Sequence, residues 1–211
     1  NLDFTEIQSP SFTTSACEGG STLFKVSYDD ENEKSGQKFY AYLSQSWQLY
    51  AEATMFGLEN IFTIAPSFRA EKSRTRRHLT EFWHAEVESA WLHNHQMMEL
   101  EEGMIVYILK EVLSSNRAEL EFLGRDISVL ENIKAPFDKM KYEDVLDKLN
   151  SMGFDLGWGD DFGYKEEKAL TQELASPLYI TNFPREKGFY HRPDPNDPKS
   201  LVCHDLLAPE G

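Results

Sequence analysis

The stretch that decides the fold is residues 61–91, IFTIAPSFRAEKSRTRRHLTEFWHAEVESAW. It reads as a strand, a basic loop and a second strand. Successive side chains of a strand alternate between its faces. Ile61, Thr63, Ala65, Ser67, Arg69 and Glu71 therefore share one face of the first strand. Phe62, Ile64, Pro66 and Phe68 share the other, and this apolar side is expected to pack on a core. In the second strand Phe82, His84, Glu86 and Glu88 share one face, with Trp83, Ala85 and Val87 opposite. Between the strands, Arg69, Lys72, Arg74, Arg76 and Arg77 concentrate positive charge in a chain whose net charge is −15. A polar sheet face with Arg, His, Phe and Glu beside an Arg-rich loop suits a nucleotide, a polyanion carrying an aromatic base. The same pattern also fits a solvated hairpin whose polar face meets water.

Working outward, the chain has 211 residues, 40% hydrophobic and 13% aromatic. That is enough to build a core and argues against disorder. The acidic balance disfavours unspecific nucleic-acid binding, so any RNA contact is expected at the basic loop alone. Cys17 and Cys203 form neither a disulfide framework nor a metal spacing. His93-Asn94-His95 reads as a polar loop. No apolar run approaches a membrane span and no signal peptide is visible, which points to a cytoplasmic setting.

Residues 4–10, FTEIQSP, read as a short strand stopped by Pro10. Residues 13–22, TTSACEGGST, read as a flexible loop carrying Glu18. TLFKVSY (22–28) and KFYAYLS (38–44) form a hairpin around the polar turn 29–37. QSWQLYAEATMF (45–56) reads as a helix on which Gln48 and Glu52 point the same way, with Gly57 as its stop. Residues 96–118 form the clearest helix, with an apolar stripe of Met98, Ile105, Leu109 and Val112 flanked by Met104, Ile108 and Leu113. Residues 119–140 read as irregular. Helices are expected over 142–152 and 166–174, a buried strand in SPLYITNF (176–183), and a last strand in LVCHDLLA (201–208) carrying Asp205. This order lacks a regular strand–helix–strand alternation. It predicts an α+β fold with an antiparallel β-sheet flanked by helices.

FRAEKSRTRRHLTEF (68–82) resembles motif 2 of the class II aminoacyl-tRNA synthetases, in the form used by the aspartyl/asparaginyl branch. The resemblance runs over nearly the whole chain. Pro10 matches the proline closing motif 1, and KMKYEDVLDKL (139–149) and WGDD (158–161) match the insertion between motifs 2 and 3. TNFPREKGFY (181–190) matches a loop near the family's pocket, one residue shorter here. The resemblance implies ATP and Mg2+ as cofactors. Arg69 would bind the α-phosphate as the catalytic residue. Glu71, Arg77, His78, Leu79 and Phe82 would complete the ATP site, with Phe82 against the adenine. Glu18, Gln48 and Glu86 would hold the α-ammonium group, and Asp205 the metal.

Aspartyl enzymes of the branch carry a lysine three residues after the second Gln of their Gln-Ser-Pro-Gln motif. Here that Gln is Gln48, the third residue on is Ala51, and Glu52 follows. A pocket that exchanges a cation for an acceptor suits an amide and rejects a carboxylate, since one unpaired buried charge costs about 3–5 kcal/mol. This is the asparaginyl-type pattern. It implies asparagine as substrate, the acceptor end of tRNA(Asn) near the basic loop 72–77, and a homodimer through the motif 1 region. Motif 3 and the N-terminal anticodon-binding domain find no match. Residues 1–211 are thus expected to be a single, partial catalytic domain without full activity of its own. The other readings are a truncated synthetase-like binding or regulatory module, an aspartyl-tRNA ligase, and an asparagine-forming ligase.

Overall fold

The computed structural model describes residues 2–17, 22–28, 39–70, 79–172, 174–188 and 191–209. The chain divides into two compact units, Asn1–Leu92 and His93–Gly211. The loop residues 71–78, the turn 29–37 and Glu18 lie outside the described residues.

The first unit is built on the expected hairpin. Strands β5 (Asn60–Phe68) and β6 (Glu81–Ser89) pair antiparallel from Asn60↔Ser89 to Phe68↔Glu81. Strand β1 (Thr5–Glu6) adds in parallel, with Thr5 opposite Ile61. Pro66 sits inside β5 without breaking it. Phe68, two residues on, sends its N–H to the Ser44 carbonyl at 2.9 Å rather than to β6. The Pro66 nitrogen faces that same side, where β1 pairs only as far as Phe62, so no ladder bond is lost. A second sheet joins β2 (Phe12–Thr13), β4 (Phe39–Leu43) and β3 (Lys25–Tyr28), all antiparallel, in the order β2-β4-β3.

The expected inside and outside of the hairpin are exchanged. Ile61, Thr63 and Ser67 are buried, whereas Ile64 is 53% and Trp83 74% exposed. The physical reason is helix α1 (Gln48–Leu58). Trp47 just before it and Ala51 within it pack on Ile61, with Ile7 and Met55 at the margin. The polar groups on that face can be covered because they find one another. Ser67 Oγ lies 3.1 Å from His84 Nδ1. Polar side chains with partners bury at modest cost. The richer apolar face stays exposed.

Helix α1 also departs from its expected ends. It starts at Gln48, because Ser44, Gln45, Ser46 and Trp47 form a buried non-helical approach. Gly57 lies inside it, and the stop is Glu59, at φ 61°, whose N–H returns to the Met55 carbonyl at 3.0 Å.

In the second unit, α2 (Asn94–Ser115) buries Met98 and Glu102. Met98 and Ile105 of the expected stripe pack inward, joined by Val106, whereas the flanking Met104 and Ile108 are exposed. His93 lies at the N-cap of α2, its N–H bonded to Gln96 Oε1 at 2.9 Å. The region expected to be irregular holds α3 (Arg117–Phe122) and α4 (Ile127–Asn132), the latter capped by Asp126 accepting from the Ser128 N–H. Six-residue helices are too short to print a periodic stripe on the sequence. A mixed sheet follows in the order β7 (Asp138–Lys141), β8 (Leu178–Thr181), β9 (His204–Leu207). β7 and β8 are parallel, and α5 (Tyr142–Ser151) and α6 (Tyr164–Thr171) make the crossover. The chain therefore contains one strand–helix–strand unit that the element order concealed. Tyr142, Val145, Leu146 and Leu149 of α5, spaced three and four apart, close on Leu170, Leu178 and Ile180 as the core. The α+β class holds, with small sheets in which antiparallel pairing dominates. Among the described residues no helix is long and apolar enough to cross a membrane.

Glu102 is buried on α2 and accepts the Phe137 N–H at 3.0 Å. Replacing it by Met keeps the bulk and strands that N–H. The expected loss is about 1–3 kcal/mol of stability, read as an earlier denaturant midpoint. An unchanged midpoint would show that the N–H finds water instead.

Candidate active site

The site begins where β6 meets the start of α1. Glu86, on the covered face of β6, receives the Ser46 hydroxyl on one oxygen and the Trp47 N–H on the other, the latter at 3.3 Å. Ser46 Oγ in turn accepts the Gln48 N–H at 3.1 Å. A carboxylate at a helix N-terminus is favoured by the exposed N–H groups and the helix dipole. The Gln48 side chain accepts from the Cys17 thiol at 3.6 Å, which brings the segment leading into Glu18 to the start of α1. His84 completes this corner, its Nδ1 3.4 Å from Glu86.

One pleat toward the basic loop, the Arg69 guanidinium carbon stands 5.5 Å from the centre of the Phe82 ring. Its backbone N–H pairs with the Thr80 carbonyl at 3.0 Å, which closes the hairpin below the loop. Arg69 Nε is buried and has no hydrogen-bond partner among the described residues. A flat ring beside a guanidinium is a pairing that matches a base and a phosphate. Phe82 and His84 lie 5.4 Å apart in a tilted arrangement.

In the opposite direction along the face stands Glu88, paired with Ile61. Burial first, then the charges of Glu86 and Glu52, push its carboxyl up to about 7. Glu52 is exposed on α1, yet close enough to be felt there. Ala51, beside it, is wholly buried. The Thr63 hydroxyl, opposite Glu86 in the pairing, is buried with no partner among the described residues.

Of the sequence-predicted residues, the first unit thus brings together Arg69 with Phe82, Gln48 with the Ser46–Glu86 corner, and Glu52 with Glu86 and Glu88. Leu79 is 66% exposed just before β6. Glu18, Glu71, Arg77 and His78 lie outside the described residues. Asp205 belongs to the second unit, on β9, and helps line a cavity of about 230 Å3 with Phe183, Lys187, His191 and Cys203. The surrounding protein raises its carboxyl, opposed by the charges of His204 and His191. Its neighbour His204 is held between Asn94 Oδ1 at 2.8 Å and the Glu101 carboxylate at 3.0 Å. Among the described residues no three His, Cys, Asp or Glu converge as a metal-binding group. Asp205 offers a single carboxylate, a set that suits a hard cation whose other ligands are phosphates and water. Sequence reasoning left Ser46, Ser67, Cys17 and Glu88 without roles. For Glu88 the alternation on β6 was an available signal. Alternation likewise put Ser67 on the polar face, and Ser46 lies between Gln45 and Gln48 in the motif, but neither signal named a partner.

The chain belongs to the family of tRNA synthetases class II (D, K and N), whose pattern matches residues 1–210. Within it, the chain is similar to asparaginyl enzymes. It is 48% identical to the asparagine–tRNA ligase of Thermoplasma acidophilum, over 98% of this chain and 46% of that protein. The crystal structure of asparaginyl-tRNA synthetase from Pyrococcus horikoshii complexed with asparaginyl-adenylate superposes with a TM-score of 0.89 at 44% identity, covering 99% of this chain and 46% of that one. The Entamoeba histolytica asparaginyl-tRNA synthetase in complex with asparaginyl-adenylate gives a TM-score of 0.79 at 31% identity, covering 98% of this chain and 44% of that one. The chain spans a little under half the length of these relatives.

The raised Glu88 carboxyl has a stability consequence. Between its ordinary 4.5 and its folded value of about 7, the folded state holds more protons than the unfolded one. Stability from this group is therefore complete below pH 4.5 and is lost as pH rises through 7. Glu88→Gln removes the penalty. The variant is expected to gain on the order of 1–3 kcal/mol over the parent at pH 8 and little near pH 5. Parallel melting curves at both pH values check this, and an equal difference at both would show a solvated carboxyl.

Proposed function

We propose that this chain is the part of an asparagine–tRNA ligase that activates asparagine. With ATP it forms asparaginyl-adenylate, from which the amino acid passes to tRNA(Asn). The observation that carries the reading is the order of groups along the covered face of β6. Phe82 and Arg69 stand at one end, Glu86 and Gln48 in the middle, and Glu88 with Glu52 at the other. A flat ring and a cation suit the adenine and α-phosphate. Carboxylate and amide oxygens suit an ammonium group. Two further carboxyls that face no lysine or arginine among the described residues suit an amide N–H and repel a carboxylate. Similarity to asparaginyl enzymes supports the same assignment.

The activation step needs no covalent nucleophile. In-line attack of the substrate carboxylate on the α-phosphate asks for positioning and for charge on the phosphate oxygens. Arg69 supplies a fixed donor fork for that charge. Glu71, Arg77, His78 and Leu79 are assigned to the rest of the ATP, and Glu18 to the ammonium group. Asp205 would give one oxygen to a magnesium ion, whose charge would offset that of the phosphates when bound. The loop 72–77 is assigned to the tRNA acceptor end, and the region of β1 to a dimer contact. The setting is cytoplasmic.

The test is calorimetric titration with asparaginyl-sulfamoyl-adenosine and its aspartyl counterpart, on the chain and on Glu52→Lys. The parent is expected to prefer the asparaginyl compound by at least about tenfold, and the Lys variant to lose or reverse that preference. Equal affinity of the parent for both would remove the amide-reading pocket from this proposal.

A further inference from the structure

Three carboxyls share the end of the covered face that lies away from the basic loop. Glu86 and Glu88 are alternate residues of β6, about 6.8 Å apart along one face. Glu52 stands on α1, close enough for its charge to be felt at Glu88. The helix is seated there by Ala51 packing on Ile61, the residue paired with Glu88. Thr63 lies on the same face, directly across from Glu86 and diagonal to Glu88, so both carboxyls are within side-chain reach of it. Thr63 is wholly buried, and its hydroxyl has no hydrogen-bond partner among the described residues. A donor is thus left unspent beside carboxyls that could have taken it. Polar groups that served only to hold the fold would close on one another.

Among the described residues, the charged groups that face Glu88 are Glu86 on its own strand and Glu52 on α1. On β5 it meets the neutral Ile61 and Thr63, and α1 otherwise offers Ala51 and Met55. His84 lies beyond Glu86, which it approaches to 3.4 Å. Phe82 stands about 20 Å away along the strand, so what arrives beside Glu88 is the amino-acid end of a ligand. Burial and the two neighbouring charges push the Glu88 carboxyl up to about 7, so near neutrality it gains or loses a proton readily. We infer that Glu88 is a specificity-determining residue of this site, and that it acts by trading its proton with solvent according to the side chain that arrives. This rests on the proposed asparagine-activating reading and adds how the side-chain group is told apart. An amide brings N–H donors and no charge. Glu88 accepts from it best as the carboxylate, so its proton leaves to solvent as the amide binds, with Thr63 an unspent donor for the ionised group. A substrate carboxylate brings one more negative charge to the cluster. Glu88 then keeps its proton or takes one from solvent, and its O–H donates to the incoming carboxylate. The wrong side chain is admitted only together with a proton, so the penalty against it grows as pH rises.

The test is calorimetry of the chain with asparaginyl-sulfamoyl-adenosine and with its aspartyl counterpart at pH 6, 7 and 8, each in two buffers of different ionisation enthalpy. Glu88→Gln is run beside the parent, with circular dichroism at each pH to establish that both are folded. The parent's preference for the asparaginyl compound is expected to rise at least about tenfold from pH 6 to pH 8. At pH 7 the aspartyl compound is expected to take up roughly one proton more than the asparaginyl compound, the shared ammonium and nucleotide contributing equally to both. In Glu88→Gln the preference stays level with pH and the difference in proton uptake is lost. A carboxyl that only held the fold would change stability with pH without separating the two ligands. A level preference in the parent, or a slope that survives in a folded Glu88→Gln and so belongs to another group such as His84, overturns the role of Glu88 and leaves the amide-reading pocket standing. Should Glu88→Gln not fold, the proton count of the parent decides, and equal uptake with both compounds overturns the role. Equal affinity for both compounds at every pH, or binding of neither, overturns the proposed function as well.

Discussion

The first unit depends on where the Glu86 carboxylate goes. A partly buried carboxylate needs donors, and it finds them in the Ser46 hydroxyl and the Trp47 N–H, at the point where the chain turns into α1. That pair of bonds locks a helix onto a strand forty residues later in sequence. It seats Trp47 and Ala51 on Ile61, which buries a large apolar side chain on a mostly polar face. It also brings Gln48 and Glu52 over the face that carries Phe82, His84 and Glu88. Fold and candidate site are thus made by the same contact. A change at Ser46 or Glu86 disturbs packing and chemistry together.

This coupling explains how the sequence misled on burial while informing on function. Alternation correctly grouped Phe82, His84, Glu86 and Glu88 on one face, and Thr63, Ser67 and Arg69 with them. The inference that the opposite, more apolar face is the core counted side chains and ignored partners. Ser67 with His84, and Ser46 with Glu86, make a polar face buriable, and neither pairing is visible in a linear pattern because one crosses between the paired strands of the hairpin and the other joins β6 to the approach to α1. Motif resemblance reached further than periodicity, since it pointed to Arg69, Phe82, Gln48 and Glu52 by spacing. It was silent on Ser46 and Cys17, whose importance lies only in what they touch. Element ends were the least legible part. Gly57 reads as a stop, but the helix ends where the Glu59 N–H returns to Met55, a property of the backbone path.

In the second unit the legible parts were those with strong local patterns. The α5 spacing of Tyr142, Val145, Leu146 and Leu149 and the continuous apolar run of β8 both announce burial. The buried carboxylate of Glu102 shows the limit of such patterns. It stands in the apolar stripe of α2 because Phe137 needs an acceptor, a demand made thirty-five residues away.

The first unit is not optimised for its own stability on the face it covers. Thr63 Oγ1, Trp47 Nε1 and Arg69 Nε are buried without hydrogen-bond partners among the described residues, and three carboxyls are crowded along the same face. Each orphaned polar atom costs about 1–3 kcal/mol, and like charges held together cost more as they lose water. A structural hairpin under no other demand would shed such groups. Under the proposed function the hairpin would receive a phosphate at one end and an ammonium and an amide at the other, and it would keep such groups because donors and acceptors already spent within the protein cannot be offered to a ligand. The sign of the crowding matters as much as its presence. Carboxyls with no lysine or arginine among them in the described residues leave a net demand for positive charge and N–H donors, which an ammonium and an amide would relieve and a second carboxylate would make worse. Under the proposed function that demand is what would separate two nearly isosteric amino acids, with Ala51 buried where a lysine would answer it.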